Sequence, residues 1–455
     1  MLSDDILIEI FDFYVDEDLD EDWKRERRMD WMTLVHVCRR WRGLVFQSPR
    51  RLNLRLVCTP KLPLSDIWPP LPLVVLDTPH DGTTGLNNIV AALEHNDRVS
   101  QIKLDCSSFP TLENVANMAA MQKPFLDLTH LWLGTFINDG PTLPDSFSGG
   151  SAPRLRSLVL IRIPFPALPN LLLSATHLVQ LNLHDIPPSG YIPPEVMATT
   201  LSALTSLEKL SLRFLFPRHT AALSPPLPRS ILPNLTEIDF KGPSEYSEEI
   251  LARIDAPRLN KLCIILLNQF IFDTPQVFQF ISRRPKLRAP ERGLIMLTYG
   301  LIAVRFLSQT SGYGVLIDII CQSPLLRQFS SLEKVHTPSL LPLFTLEDLY
   351  IHEEALCRLD DVENTVWLRL LHPFVAVRNL YLNEAFLPRL ASALQELVGG
   401  RTTEVLPTLE NISLKGFQSS EPLHEGIKKF VEARRLTSHS VAVSRWDGDL
   451  GQEFR

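Results

Sequence analysis

Leu178-Val179-Gln180-Leu181-Asn182-Leu183 places apolar residues at its first, fourth and sixth positions. The last two alternate with polar neighbours, as in a strand buried on one face. The same φ-x-x-φ-x-φ spacing occurs upstream at Val99/Ile102/Leu104, Leu128/Leu131/Leu133 and Leu155/Leu158/Leu160. Downstream it recurs at Leu207/Leu210/Leu212, Leu235/Ile238/Phe240 and Leu259/Leu262/Ile264. After a gap it returns at Leu346/Leu349/Ile351, Val377/Leu380/Leu382 and Leu409/Ile412/Leu414. Successive copies start 23 to 32 residues apart, with one interval of 87.

A strand signature at this period indicates leucine-rich repeats. Helix-like segments lie between the strands at Thr111–Gln122, Glu195–Leu204, Gln276–Arg284 and Ala391–Val398. Pro153, Pro233, Pro257 and Pro407 each stand two residues ahead of a repeat, where a proline stops a helix at no cost to the strand. A strand–helix unit cannot cover its own apolar face, so neighbours must stack. The fold class predicted is α/β: a small N-terminal helical module followed by an irregular, horseshoe-like leucine-rich-repeat solenoid. Its irregularity follows from the turns after the strands, where Phe136, Ile163, Ile186 and Leu215 replace an asparagine ladder. Leu287 to Leu340 breaks the period. Ile302/Val304/Phe306 and Val315/Ile317/Ile319 alternate there with period two, predicting one or two antiparallel hairpins inserted into the array.

The chain has 455 residues, 45 basic and 52 acidic, for a net charge of −7, which gives no chain-wide basic field for nucleic acid. Apolar residues make up 45%, ample for a core, and 36 prolines cut the chain into short elements. Six scattered cysteines without a C-x-x-C pair read as reduced thiols of an intracellular protein, cytoplasmic or nuclear. The sequons at Asn234 and Asn411 abut strand patterns. Met1-Leu2-Ser3-Asp4-Asp5 is acidic where a secretory signal is basic, and the apolar run Leu294 to Val304 is too short to cross a bilayer. No membrane association is expected.

Near the N-terminus, Ser3 is placed to cap a helix whose first turn holds Asp4 and Asp5. Ile6, Leu7, Ile10, Phe11 and Tyr14 recur along it as one apolar stripe. Asp16 to Asp30 has no apolar periodicity and reads as a solvated acidic insertion. A second helix then carries Leu34, Val37, Cys38, Trp41 and Val45 on one face, ending at Ser48-Pro49. So short a module needs a covering partner, either from this chain or from another.

The segments Leu2-Ser3-Asp4-Asp5-Ile6-Leu7-Ile8-Glu9-Ile10-Phe11 and Leu34-Val35-His36-Val37-Cys38-Arg39-Arg40-Trp41-Arg42 resemble an F-box, with V-C-x-x-W as the specific part. Together with ISRRPKLRAP, ENTVWLRLL and LQELVGGR further on, they are similar to the F-box-like proteins of basidiomycete fungi. Ser3 stands where that family has proline, and the insertion separates the two helices more widely than usual. The resemblance implies docking on the Skp-type adaptor of a cullin ligase core through Leu2, Ile6, Leu7, Ile10, Leu34, Val37, Cys38 and Trp41. The organisation expected is 1–55 F-box-like module with its insertion at 16–30, 56–98 linker and cap, 99–286 repeats, 287–340 hairpin insertion, 341–430 repeats and 431–455 cap or tail.

No catalytic constellation is legible. Gly312-Tyr313-Gly314 precedes a strand pattern instead of a helix, His352-Glu353 lacks the second histidine of a zinc helix, and no phosphate loop or nucleophile elbow occurs. Cys357 near His352 and Asp360 has no spacing that specifies a nucleophile. Neither enzyme activity, metal nor cofactor is expected. Binding needs a surface instead. Residues flanking the second and third apolar positions of each repeat point to the concave side of the sheet. The candidate target-binding residues there are Lys103, His130, Trp132, His184, Arg213, Lys241, Tyr350, Tyr381 and Asn383. The sequence thus reads as a substrate-recognition subunit of a ubiquitin ligase, holding an unknown target protein on its repeats. The alternative is a repeat scaffold outside any ligase, and a hydrolase on a repeat scaffold is a distant third. Arg283-Arg284-Pro285-Lys286 is a short basic cluster at a helix end.

Overall fold

In the computed structural model the described residues are 2–15, 31–64, 69–77, 86–105, 119–136, 142–215, 229–267, 275–284, 287, 290–298, 301–307, 314–320, 345–353, 363–383, 385–397, 401–416 and 424–448. They form two compact units, one of residues 1–192 and 203–207, the other of residues 193–202 and 208–455. Both are mixed α/β. No helix among the described residues is long and apolar enough to cross a membrane.

In the first unit, β1 (Leu56–Cys58), β2 (Leu73–Asp77), β3 (Val99–Asp105), β4 (His130–Gly134), β5 (Ser157–Ile161) and β6 (Gln180–Ile186) lie side by side, parallel and in chain order. The repeat pattern sets the register: Ile102, Leu131, Leu158 and Leu181 stand opposite one another, as do Leu104, Leu133, Leu160 and Leu183. All eight are buried, and so are the leading residues Val99, Leu128, Leu155 and Leu178. The leading residue closes a turn, its N–H donating to the carbonyl three residues back, as in Leu155 to Ala152 at 3.1 Å and Leu178 to Ala175 at 3.0 Å. Pro153, Pro233, Pro257 and Pro407 occupy the second position of such turns, which suits proline's fixed φ. They shape the approach to the strand as well as ending what precedes it.

In the second unit β7 (Lys209–Phe214), β9 (Glu237–Gly242) and β11 (Lys261–Leu267) are parallel, while β8 (Ser230–Ile231) pairs only with β10 (Ile254–Asp255). β15 (Asp348–Glu353), β16 (Asn379–Leu382), β17 (Asn411–Lys415) and β18 (Ala442–Trp446) form a second parallel set. Between the sets run β12 (Arg292–Thr298), β13 (Leu301–Leu307) and β14 (Gly314–Ile320), an antiparallel meander placed in reverse, with β14 beside β11 and β12 beside β15. The hairpins expected between Leu287 and Leu340 are therefore strands of the sheet itself, joining its two parallel parts.

Helices between the strands bury apolar faces. Pro194–Leu201 buries Met197, Ala198 and Leu201, Pro275–Ser282 buries Phe278 and Phe280, and Leu387–Gln395 buries Leu390, Ala391 and Leu394. The helix expected at Thr111–Gln122 lies outside the described residues up to 118, and 119–122 is turn.

The N-terminal module holds α1 (Asp4–Val15), α2 (Trp31–Val37) and α3 (Arg39–Gln47). Ser3 caps α1, its Oγ accepting from Ile6 N–H at 3.4 Å. The single second helix expected over Leu34 to Val45 is two helices. Cys38 is extended between them and its Sγ accepts from Trp41 N–H at 3.5 Å, so α3 begins afresh with a thiol as cap. Arg42 Nε takes the Val35 carbonyl at 3.0 Å. The acidic insertion at 16–30 lies outside the described residues.

Candidate functional site

The stripe read along α1 divides between two faces, because Ile6/Leu7 and Ile10/Phe11 are sequential pairs and 100° separates neighbours on a helix. Leu7 and Phe11 turn inward, with Phe11 fully buried and its ring 4.8 Å from that of Trp41. Ile6 and Ile10 turn outward. Together with Leu2, Tyr14 and Val37 they are 46–56% exposed, and Phe13, one turn beyond Ile10, is 88% exposed. Among the residues carried over from the F-box resemblance, Leu2, Ile6, Ile10, Val37 and the cap Cys38 are accessible. Leu7 and Leu34 belong to the module's core, and Trp41 is half-buried against Phe11. Phe13 lies on the same side as Ile6 and Ile10 and away from Leu7 and Phe11, so a single stripe through Ile6, Leu7, Ile10, Phe11 and Tyr14 does not include it.

Arg40 fixes the outer face to α3, donating from Nη2 to the Leu2 carbonyl at 2.7 Å and from Nε to Asp4 Oδ1 at 2.9 Å. Arg51 pairs with Glu9 on α1. At the rear, buried Trp31 donates its indole N–H to the Arg55 carbonyl at 3.0 Å. The sequence placed the module's second helix from Leu34 and did not single out this tryptophan.

The second candidate surface is the sheet face opposite the repeats' buried leucines. In the first unit it presents Lys103, His130, Trp132 and His184, all half-buried, with Lys103 Nζ 5.7 Å from the centre of the Trp132 ring. In the second unit Arg213 pairs with Asp239 at 2.6 Å, and Lys241 lies beside it in register. The Glu237 carboxylate, accepting from Lys261 Nζ at 2.6 Å, holds that ammonium above its ordinary range.

At the far end of the second unit Tyr350 and Tyr381 stack with centroids 4.2 Å apart and planes 6° from parallel. Trp446 meets both edge-on, at 5.6 and 5.5 Å, and Lys415 Nζ lies 5.4 Å from the Trp446 ring centre. Tyr350 is only 4% exposed, so it supports the cluster, while Tyr381 and Trp446 present it to solvent. Asn383 has a structural task. Its Oδ1 accepts from Glu353 N–H at 3.0 Å and its Nδ2 donates to the Glu353 carbonyl at 2.6 Å, tying the ends of adjacent strands. Trp446 escaped the sequence reading because β18 lacks the repeat's apolar pattern.

One minor expectation changes, and two other positions become clear. Arg284 is buried, paired with Asp255 and set 4.7 Å over the Phe280 ring, so the basic cluster is not an exposed cationic run. Asn411 lies in β17 with its amide donating to Asn379 Oδ1 at 2.8 Å, a position closed to a glycan. Glu353 is buried against Arg389.

No family model matches the chain, and no curated protein does. Among solved structures it is similar to the leucine-rich repeat-containing protein LegL7 from Legionella pneumophila, at 13% identity over 80% of this chain and 97% of that one, with a TM-score of 0.31.

Proposed function

We propose that the chain is a non-catalytic recognition subunit. An F-box-like N-terminal module docks on a Skp-type adaptor of a cullin–RING ubiquitin ligase, in the cytoplasm or nucleus. An irregular leucine-rich-repeat solenoid holds a target protein near the charged E2 enzyme. Its contribution is effective concentration, since a held target presents its lysines repeatedly to the same thioester.

The observation that carries this reading is the two-sided character of α1. Its inner face, Leu7 and Phe11, completes the module's core, and its outer face, Ile6, Ile10 and Phe13, with Leu2 just ahead of the helix, is apolar and uncovered among the described residues. A helix apolar on both sides, on a three-helix module, is suited to a protein partner. The V-C-x-x-W residues support the same reading, since Cys38 sets where α3 begins and Trp41 presses Phe11 into place.

The test is co-expression of the full chain with a fungal Skp-type adaptor. Ile6→Asp plus Ile10→Asp places two charges on the outer face and leaves Leu7 and Phe11 untouched. Stoichiometric capture by the native chain, lost in a variant with native circular dichroism, is the expected outcome. Failure of the native chain to capture the adaptor would leave a repeat scaffold outside any ligase.

A further inference from the structure

The first turns of α1 and α3 are joined by one side chain. The first turn of α3 carries Arg39, Arg40 and Arg42 and no acid, so cations crowd the positive end of its own dipole. The first turn of α1 carries Asp4 and Asp5. Arg40 donates from Nε and Nη2 to Asp4 Oδ1, at 2.9 and 2.5 Å, and from Nη2 to the Leu2 carbonyl at 2.7 Å. Leu2 precedes α1 and Asp4 is its first residue, so a single guanidinium spans the Ser3 cap. Residues 2–6 are all exposed, and the inward anchors Leu7 and Phe11 come only afterwards. Apart from the fork, the start of α1 rests on Ser3, whose Oγ accepts from Ile6 N–H at 3.4 Å and whose carbonyl accepts from Leu7 N–H at 3.1 Å. A helix start held so lightly opens readily.

We propose that Arg40 is a positioning residue for adaptor docking. By holding Leu2 and the first turn of α1 against α3, it sets Leu2 and Ile6 in place as the leading part of the outer face before a partner arrives. The proposal rests on the reading that this face docks on the adaptor, and it names a residue that tunes the docking without belonging to the apolar contact. Without the fork, residues 2–6 have neither a buried anchor nor a tie to α3, and the partner must order them as it binds, which lowers affinity. Arginine suits the task because its planar fork serves a carboxylate and a carbonyl at fixed angles, where a lysine ammonium would be a point charge. The Arg40 and Asp4 side chains are 38% and 58% exposed, so the clamp is open to screening by salt. Arg51, which pairs with Glu9 and stands 4.0 Å from Asp12, ties the later turns of α1 separately. Loss of Arg40 therefore frees the first turn and leaves Leu7 and Phe11 seated.

The test has two arms, both on the full chain. Without adaptor, hydrogen exchange is followed in peptides spanning Leu2–Phe11 of the native chain, Arg40→Met and Asp4→Asn. Exchange at Ile6 and Leu7 should quicken roughly three- to tenfold in Arg40→Met, and less in Asp4→Asn, which keeps the bond to Leu2 O. With a fungal Skp-type adaptor, affinity should fall roughly three- to tenfold in Arg40→Met, and adding Asp4→Asn to that variant should cost little more, because both act through one set of bonds. Arg40→Lys, which keeps the charge and loses the fork, carries both arms should Arg40→Met misfold, with smaller losses expected in each. Unchanged exchange in Arg40→Met overturns the proposal. So do additive losses in the double variant, which would mean that Arg40 touches the adaptor itself. If the native chain captures the adaptor and Arg40→Met captures it equally well, the proposal falls alone. If the native chain captures none, it falls together with the docking reading.

Discussion

Replacing Arg434 by methionine should loosen the C-terminal end of the second unit. Arg434 lies in the last turn of Glu425–Leu436 and is fully buried. Its guanidinium donates to the carbonyls of Val405, Leu406 and Pro407, at 3.0, 2.5 and 3.1 Å, and stands 5.3 Å over the Phe430 ring. Burial lowers its pKa from the ordinary value. The three carbonyls belong to the turn that delivers Leu409 to β17, a turn in which Leu406 adopts a φ of 50°. Methionine keeps an unbranched stem of similar reach and removes every donor.

Leu406 O also accepts from Leu409 N–H at 3.1 Å, so the orphaned acceptors are Val405 O and Pro407 O. A buried carbonyl at Val405 and a part-buried one at Pro407, both left without donors, together cost about 2–4 kcal/mol. Removing a buried cation returns part of that, since its desolvation opposes folding. A net loss of roughly 2–3 kcal/mol is expected, a fall of about 30- to 150-fold in the opening equilibrium. Hydrogen exchange of the β17 and β18 amides in the full chain reads this locally, which matters because a two-unit chain need not melt in one step. Arg434→Lys should lose at least as much, because one ammonium cannot replace a fork across three carbonyls. Protection in Arg434→Met within about threefold of the native value, or above it, would refute the reasoning and show that the charge costs more than its bonds return.

Glu248→Ala should destabilise the second unit by about 1–2 kcal/mol in urea denaturation, because the buried carboxylate accepts from Gln276 and Val277 N–H, at 2.8 and 2.9 Å, at the start of Pro275–Ser282. Asn383→Asp should cost more than Asn383→Ala, since an anionic oxygen would replace the donor facing the Glu353 carbonyl; equal midpoints for the two variants would contradict this. Burial pushes the Cys58 thiol up from 9.0 to about 11, so at pH 8 its thiolate fraction falls about a hundredfold; maleimide should label exposed Cys38 well before Cys58, which should react only on unfolding, as read by peptide mass mapping. Trp31→Phe should cost about 1 kcal/mol through loss of the indole bond to Arg55 O, read as a lower melting temperature with native circular dichroism.

All ten φ-x-x-φ-x-φ segments run into strands, because within each unit the second and third apolar positions meet apolar residues of the neighbouring strand and leave one workable register. β18 was not legible. Ser440 and Arg445 occupy the positions that Leu409 and Leu414 fill in β17, and an end strand has less apolar surface to cover. The period-two alternation of 302–306 and 315–319 gave the antiparallel strands but not their order, which depends on β14 finding β11. The break at Cys38 was hidden because a thiol is an unusual helix cap, and the two faces of α1 because Ile6/Leu7 and Ile10/Phe11, sequential pairs 100° apart, were read as one stripe.

The reversed meander has a topological reason. A parallel sheet interrupted by antiparallel strands resumes its direction only if the number inserted is odd. With three, β14 runs parallel to β11 and β12 parallel to β15, so Leu262 and Ile264 on one side and Leu349 and Ile351 on the other all remain on the buried face. Two would have reversed β15 and every strand after it. The long interval from Leu259 to Leu346 thus keeps the outward face continuous from Arg213 to Lys415 instead of ending the array. The meander also supplies Leu294 and Leu316 to that face, where the parallel strands on one side, β7 and β9, supply Ser211 and Asp239. A region that breaks the repeat in sequence therefore preserves both the direction of the sheet and its buried face.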